Sequence, residues 1–212
     1  CDVFLELPSD SIGNGIRFHS GGDMFIADYT GHNILQVNMD TKAISVFAHE
    51  PRMNQPNDIA IAKNNTIYAS DPDWSNGTGQ IWKIDNQGNS ECLETGMGTT
   101  NGIEVSPDEK TLYVNESLQR NVWAYDILPD GRVNNKRLMI QFPDFNMDGM
   151  RCDIDGNIYT ASIFEHVLIQ QLTSFFNVND KNVLLLEGAD WNDTYDMARD
   201  RGGSVCFYSF YA

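Results

Sequence analysis

The chain has 212 residues, enough for one large domain or two small ones. Hydrophobic residues make up 41% and aromatics 11%, enough to bury a core, and no apolar run is long enough to cross a membrane as a helix. Lys and Arg number 14 against 30 Asp and Glu, a net charge of −16, which argues against nucleic acid or an anionic membrane as partner because both need a basic footprint. An acidic chain suits divalent cations, but a plain solvated acidic surface is the commoner meaning of such a charge.

In chain order, residues 1–8 read as the outer strand of a preceding sheet, with Val3-Phe4-Leu5-Glu6-Leu7 as its core. From Asn14 onward, four short apolar runs recur in the same order. The first unit has runs at 14–18, 24–28, 33–37 and 43–48, the second at 57–61, 67–71, 80–84 and 90–95. The third has them at 101–105, 112–116, 121–125 and 137–142, the fourth at 148–152, 158–162, 166–170 and 182–187. Unit starts are 43, 44 and 47 residues apart.

The runs are β-branched and aromatic, and the turns between them carry Asn64-Asn65, Gln87-Gly88, Asp130-Gly131 and Asp155-Gly156, pairs that tolerate positive φ. No segment holds a helical period for three turns. Four-stranded units at this period predict an all-β fold, a β-propeller, because each sheet buries its faces against neighbouring blades. An ordinary β-sandwich is the alternative. Propeller blades are assigned to residues 1–188, and residues 189–212 form a tail outside the repeat. Four blades are recognisable and five or six would close a ring better, so the chain reads as incomplete. Leu35, Trp82 and Trp123 share one position in the repeat and read as blade-packing residues.

In a propeller the first strand of each unit lines the central channel. The residues opening that strand are Asn14, Asn57, Asn101 and Asp148. Each singly could be a turn former. Together they make a ring of hard oxygen donors, suited to a divalent cation. Other motifs fail. Cys1, Cys92, Cys152 and Cys206 form no CxxC pair. Asp71-Pro72-Asp73 opens like an EF-hand loop, but Asn76 stands where Gly is needed and Trp82 where Glu is needed. There is no GxSxG elbow and no P-loop. His19, His32, His49 and His166 lack metal-ligand spacing and read as surface residues. Sequons begin at Asn64, Asn76, Asn115 and Asn192, and matter only for a secreted eukaryotic protein. No signal or transit segment is visible, and the compartment stays open between cytoplasm, periplasm and secretion.

The stretch Gln55-Pro56-Asn57-Asp58-Ile59-Ala60, with Tyr68-Ala69-Ser70-Asp71-Pro72 downstream, resembles the PND…YFTDP segment of the gluconolactonase and regucalcin (senescence marker protein) family. Asn101-Gly102-Ile103-Glu104-Val105-Ser106-Pro107-Asp108 is similar to its NGL.FSPD stretch, and Asp148-Gly149-Met150 to its DGM motif. The resemblance implies a six-bladed propeller that hydrolyses sugar lactones with one divalent metal in the channel. Calcium is the first choice, with magnesium, manganese and zinc as alternatives. It assigns metal binding to Asn101 and Asp148 and substrate binding to Asn57 and Asn14; in a hydrolysis at that site Asp148 is the expected general base. Trp74 would roof the channel. The family's first-blade Glu has no counterpart here, and Glu6 lies in the wrong strand context. The expected partner is a small sugar lactone, with no nucleic acid and no membrane, and the oligomeric state is not read. The alternative is a non-catalytic propeller serving as a binding platform.

Overall fold

The computed structural model describes residues 3–143, 146–162, 168–170 and 184–186. The first sheet contains β1 (Gly13–Phe18), β2 (Met24–Asp28), β3 (Asn33–Val37) and β4 (Ile44–His49). The second contains β5 (Ile59–Ile61), β6 (Ile67–Asp73), β7 (Thr78–Ile84) and β8 (Ser90–Met97). The third contains β9 (Thr100–Val105), β10 (Thr111–Glu116), β11 (Asn121–Ile127) and β12 (Val133–Gln141). The fourth contains β13 (Met147–Cys152), β14 (Ile158–Ser162), β15 (Leu168–Gln170) and β16 (Leu184–Leu186). Each sheet is an antiparallel meander, with strands adjacent in chain order. The first strands β1, β5, β9 and β13 lie side by side in succession, so the sheets radiate as propeller blades from a shared axis.

Local chemistry explains the meanders. The four expected turn positions all adopt left-handed backbone: φ is 68° at Asn65, 84° at Gly88, 78° at Gly131 and 86° at Gly156. The strands then bury alternate residues in the seams between blades. Phe25, Ala27 and Ile34 of the first blade meet Ile59, Ile67 and Trp82 of the second. Tyr68 and Ile81 of the second meet Ile103, Leu112 and Tyr125 of the third. Val122 of the third meets Met147, Met150 and Ile158 of the fourth. Each large aliphatic or phenyl side chain so buried contributes about 1.5–3 kcal/mol. Trp82 and Trp123 lie in the seam with the preceding blade, and Leu35 lies on the matching face of the first blade.

Two expectations are corrected. Residues 3–8 form no strand. Leu5 and Leu7 instead pack over Met24, Ile26, Leu35 and Val37, covering the outer face of the first blade. An alternating apolar pattern suits a chain lying across a sheet face as well as a paired strand, and among the described residues none pairs with it. The second blade's inner strand starts at Ile59, although the Asn57 amide still donates to the Ser70 carbonyl at 2.8 Å; Pro56, ahead of it, has no amide proton to extend the ladder. The tail at 189–212 and His166 lie outside the described residues.

Candidate functional site

Three of the four axial positions sit in β-bulges. The register between β1 and β2 slips between Gly13 and Ile16, enclosing Asn14-Gly15. The same slip encloses Asn101-Gly102 in β9 and Asp148-Gly149 in β13. A bulge leaves its extra residue unpaired and re-aims its side chain. The glycines have a specific cause. A Cβ on Gly102 would stand 2.7 Å from the Asp148 carbonyl oxygen and the Met150 nitrogen of the next blade, and one on Gly15 would stand 2.7 Å from the Asp58 Cα.

These bulges bring the residues together in two pairs. The Gly15 amide donates to the Asn57 carbonyl at 2.8 Å, seating Asn14 beside Asn57. The Asn101 Nδ2 donates to the Met147 carbonyl at 3.4 Å and to the Asp148 carboxylate. Asn57 and Asn101 are buried. Burial pushes the Asp148 carboxyl above its ordinary value, the Asn101 hydrogen bond opposes this, and the nearby Asp58 charge raises it further. Asn115 braces this pair: its Oδ1 accepts from the Gly102 amide at 2.9 Å, and its Nδ2 donates to the Asp148 carbonyl at 2.7 Å. The Trp74 amide donates to Gln55 Oε1 at 3.5 Å, which places Trp74 beside the segment leading to Asn57.

The Asn101 Oδ1 is buried and has no hydrogen-bond partner. A buried acceptor left alone costs roughly 1–3 kcal/mol unless a ligand completes it. The orphan lies next to a desolvated carboxylate, and both are hard oxygen donors. This donor set fits a calcium- or magnesium-type cation. Among the described residues no three His, Cys, Asp or Glu side chains cluster.

Two groups escape a reading of the sequence. The first is a set of buried acids at or near the ends of second strands, which hold the segments that lead to the axis. Asp28 accepts from the Ile12 amide at 3.2 Å and Ser11 Oγ at 3.1 Å, ahead of Asn14. Asp71 accepts from the Asn54 and Gln55 amides at 2.8 and 2.6 Å, from Gln80 Nε2 at 2.7 Å and from Trp82 Nε1 at 3.0 Å, ahead of Asn57. Glu116 accepts from the Gly98 amide at 2.8 Å, ahead of Asn101. The second group is a set of charges deeper on the axis. Arg17, Glu104 and Arg151 each follow an axial residue by three positions, a recurrence visible in the sequence. Arg17 Nη1 meets Asp58 Oδ1 at 3.0 Å, and Arg151 Nη1 meets Asp58 Oδ2 at 3.5 Å.

Four-stranded antiparallel blades packed first strand against first strand define a β-propeller. The chain matches the SMP-30/Gluconolactonase/LRE-like region over residues 2–174, and it belongs to that family. A gluconolactonase of Zymomonas mobilis is 27% identical over 174 residues, covering 70% of this chain and 49% of that protein. The chain thus spans about half the length of this curated relative. The solved gluconolactonase of Xanthomonas campestris superposes with a TM-score of 0.66 at 21% identity, over 79% of this chain and 61% of that one. A calcium-binding regucalcin of Agrobacterium tumefaciens gives a TM-score of 0.68 at 16% identity, over 91% of this chain and 74% of that one. These two likenesses carry the fold. No helix among the described residues is long and apolar enough to cross a membrane.

Proposed function

We propose that this chain carries the axial site of a divalent-cation-dependent hydrolase of sugar lactones. The observation that carries the reading is the orphaned, buried Asn101 Oδ1 beside the desolvated Asp148 carboxylate. Family membership and the gluconolactonase relative support the substrate class, and the regucalcin named as calcium-binding supports calcium as the first cation to test.

Asn101 and Asp148 would hold the cation, which when bound supplies a Lewis acid for the lactone carbonyl. Asn57 and Asn14 would orient the sugar by hydrogen bonds to its hydroxyls. Water adds to the carbonyl carbon as Asp148 accepts its proton. The ring C–O bond then breaks, and the proton passes to the departing ring oxygen, giving an open hydroxy acid. Burial strengthens Asp148 as a proton acceptor. A bound cation pulls the same carboxyl down, so the two roles oppose each other and the rate should peak at intermediate cation affinity.

Hydrolysis of glucono-lactone is expected to vanish with chelator and with Asp148→Ala. Calorimetry with calcium should show binding that Asn101→Ala weakens at least tenfold. Turnover indifferent to both chelator and Asp148→Ala would reject this reading. Cation binding without turnover would favour a binding platform.

A further inference from the structure

Three residues below the axial ring, the inner strands carry Arg17, Glu104 and Arg151 at one shared register, in the first, third and fourth blades. The second blade has Ala60 at that register, and it alone has an acid, Asp58, directly after its axial residue, where the other three have Gly15, Gly102 and Gly149. The two departures compensate each other. Asp58 supplies the charge that Ala60 lacks two positions further on.

The four side chains converge. Besides its contacts to Arg17 and Arg151, the cluster joins Glu104 Oε2 to Arg17 Nη2 and to Arg151 Nη1, both at 3.9 Å. Arg17 Nη2 also donates to the Ile103 carbonyl at 3.5 Å. The side chains are only 8–18% exposed, so the cluster is largely closed to solvent. Two guanidiniums meet two carboxyls there, and burial pushes the Glu104 carboxyl up while Arg17 and Arg151 oppose this. The links also run between blades that are not neighbours: Arg17 joins the first blade to the third, and Asp58 joins the second to the fourth.

We propose that Arg17, Asp58, Glu104 and Arg151 act as one unit that floors the axial cavity and sets the length of the molecule it admits. Arg17 and Arg151 are thereby specificity-determining residues for the site above. The floor rests on the lactonase reading for the identity of the ligand, and on geometry alone for its own integrity. A polyhydroxylated ring enters from the Asn57–Asp148 end, and its far carbons meet the guanidinium faces. A longer sugar lactone is stopped there. Shortening an arginine opens space beneath the ring without touching the axial oxygens.

The test has two arms on the full chain. The first arm compares turnover of a five-carbon and a seven-carbon sugar lactone by the wild type, Arg151→Ala, Arg17→Ala and Arg151→Lys. Either alanine variant should raise the seven-to-five ratio of kcat/KM at least fivefold, and Arg151→Lys should restore it to within twofold of wild type. Both rates falling together at a constant ratio would overturn the floor while leaving lactone hydrolysis intact. The second arm needs no activity: unfolding midpoints of Arg151→Met, Asp58→Asn and the double variant. A single unit predicts a double variant no less stable than the worse single one, and fully additive losses would overturn the unit. A wild type that hydrolyses neither lactone rejects the lactonase reading, and the second arm then decides the unit.

Discussion

In the third blade the axial Asn101 is followed by Gly102, whose amide is held by Asn115 Oδ1 at 2.9 Å. In the second blade the axial Asn57 is followed by Asp58, whose amide is held by Ser70 Oγ at 3.0 Å. Ser70 and Asn115 occupy the same place in the repeat. The longer Asn115 also crosses the seam, reaching the Asp148 carbonyl and Thr160 Oγ1 of the fourth blade. Ser70 cannot span that distance, and the second blade relies on its acid instead. Asp71 takes five hydrogen bonds from four residues, against two described for Glu116. One blade places its axial residue by bracing the next blade, the other by clamping its own entry.

The largest expected effect breaks the brace. Gly102→Ala drives a Cβ to 2.7 Å from backbone atoms of Asp148 and Met150, which cannot give way as a flexible side chain would. A loss of about 3 kcal/mol is expected by chemical unfolding. Gly149→Ala is the internal control, since nothing lies within 4 Å of its Cβ, and a change within about 0.5 kcal/mol is expected. Equal losses at the two glycines would show that the seam does not set the glycine requirement.

Next comes the clamp. Asp71→Asn turns one accepting atom into a donor against a set of donors, at a cost of about 2–3 kcal/mol. Burial holds the Asp71 carboxyl above its ordinary 3.8 despite these bonds. A raised carboxyl lends stability that is fully present below 3.8 and is lost as pH rises through the folded value. Asp71→Asn should therefore remove a descending component from the acid side of the stability–pH curve. An unchanged curve shape would show that Asp71 does not titrate on unfolding. Asn115→Ala should cost less, roughly 2 kcal/mol, and should lower calcium affinity, because it frees the backbone that carries Asp148.

The contrast between blades also shows what a sequence discloses. The blades were legible because strands and turns repeat in a fixed order, and the axial positions because four oxygen-bearing residues share one register. The deeper quartet was not, because it is built from a deviation: Ala60 interrupts the register and Asp58 repairs it from a neighbouring position. Asp28, Asp71 and Glu116 stood in plain view at the ends of second runs. Nothing in a strand pattern tells an exposed terminal acid from a buried one that holds a neighbouring loop. Residues 3–8 misled for a related reason, since covering a face and pairing an edge both call for alternating apolar residues.

The smallest effect belongs to the connection between the first and second blades. Glu50 accepts from Arg52 Nε at 2.8 Å, Nη2 at 2.7 Å and the Arg52 amide at 3.0 Å. These bonds hold its carboxyl down at about 2, from an ordinary 4.5. Its sign is opposite to that of Asp71: the stability it lends is present above 4.5 and is lost as pH falls toward 2. Arg52 is 70% exposed, so solvent and salt screen the pair and the gain is small. Glu50→Gln should lower the unfolding midpoint slightly at pH 7 and not at all near pH 2. Raising the salt at pH 7 should narrow the gap between variant and wild type. A gap that persists at pH 2 would mean that Glu50 acts through packing at this junction and not through its charge.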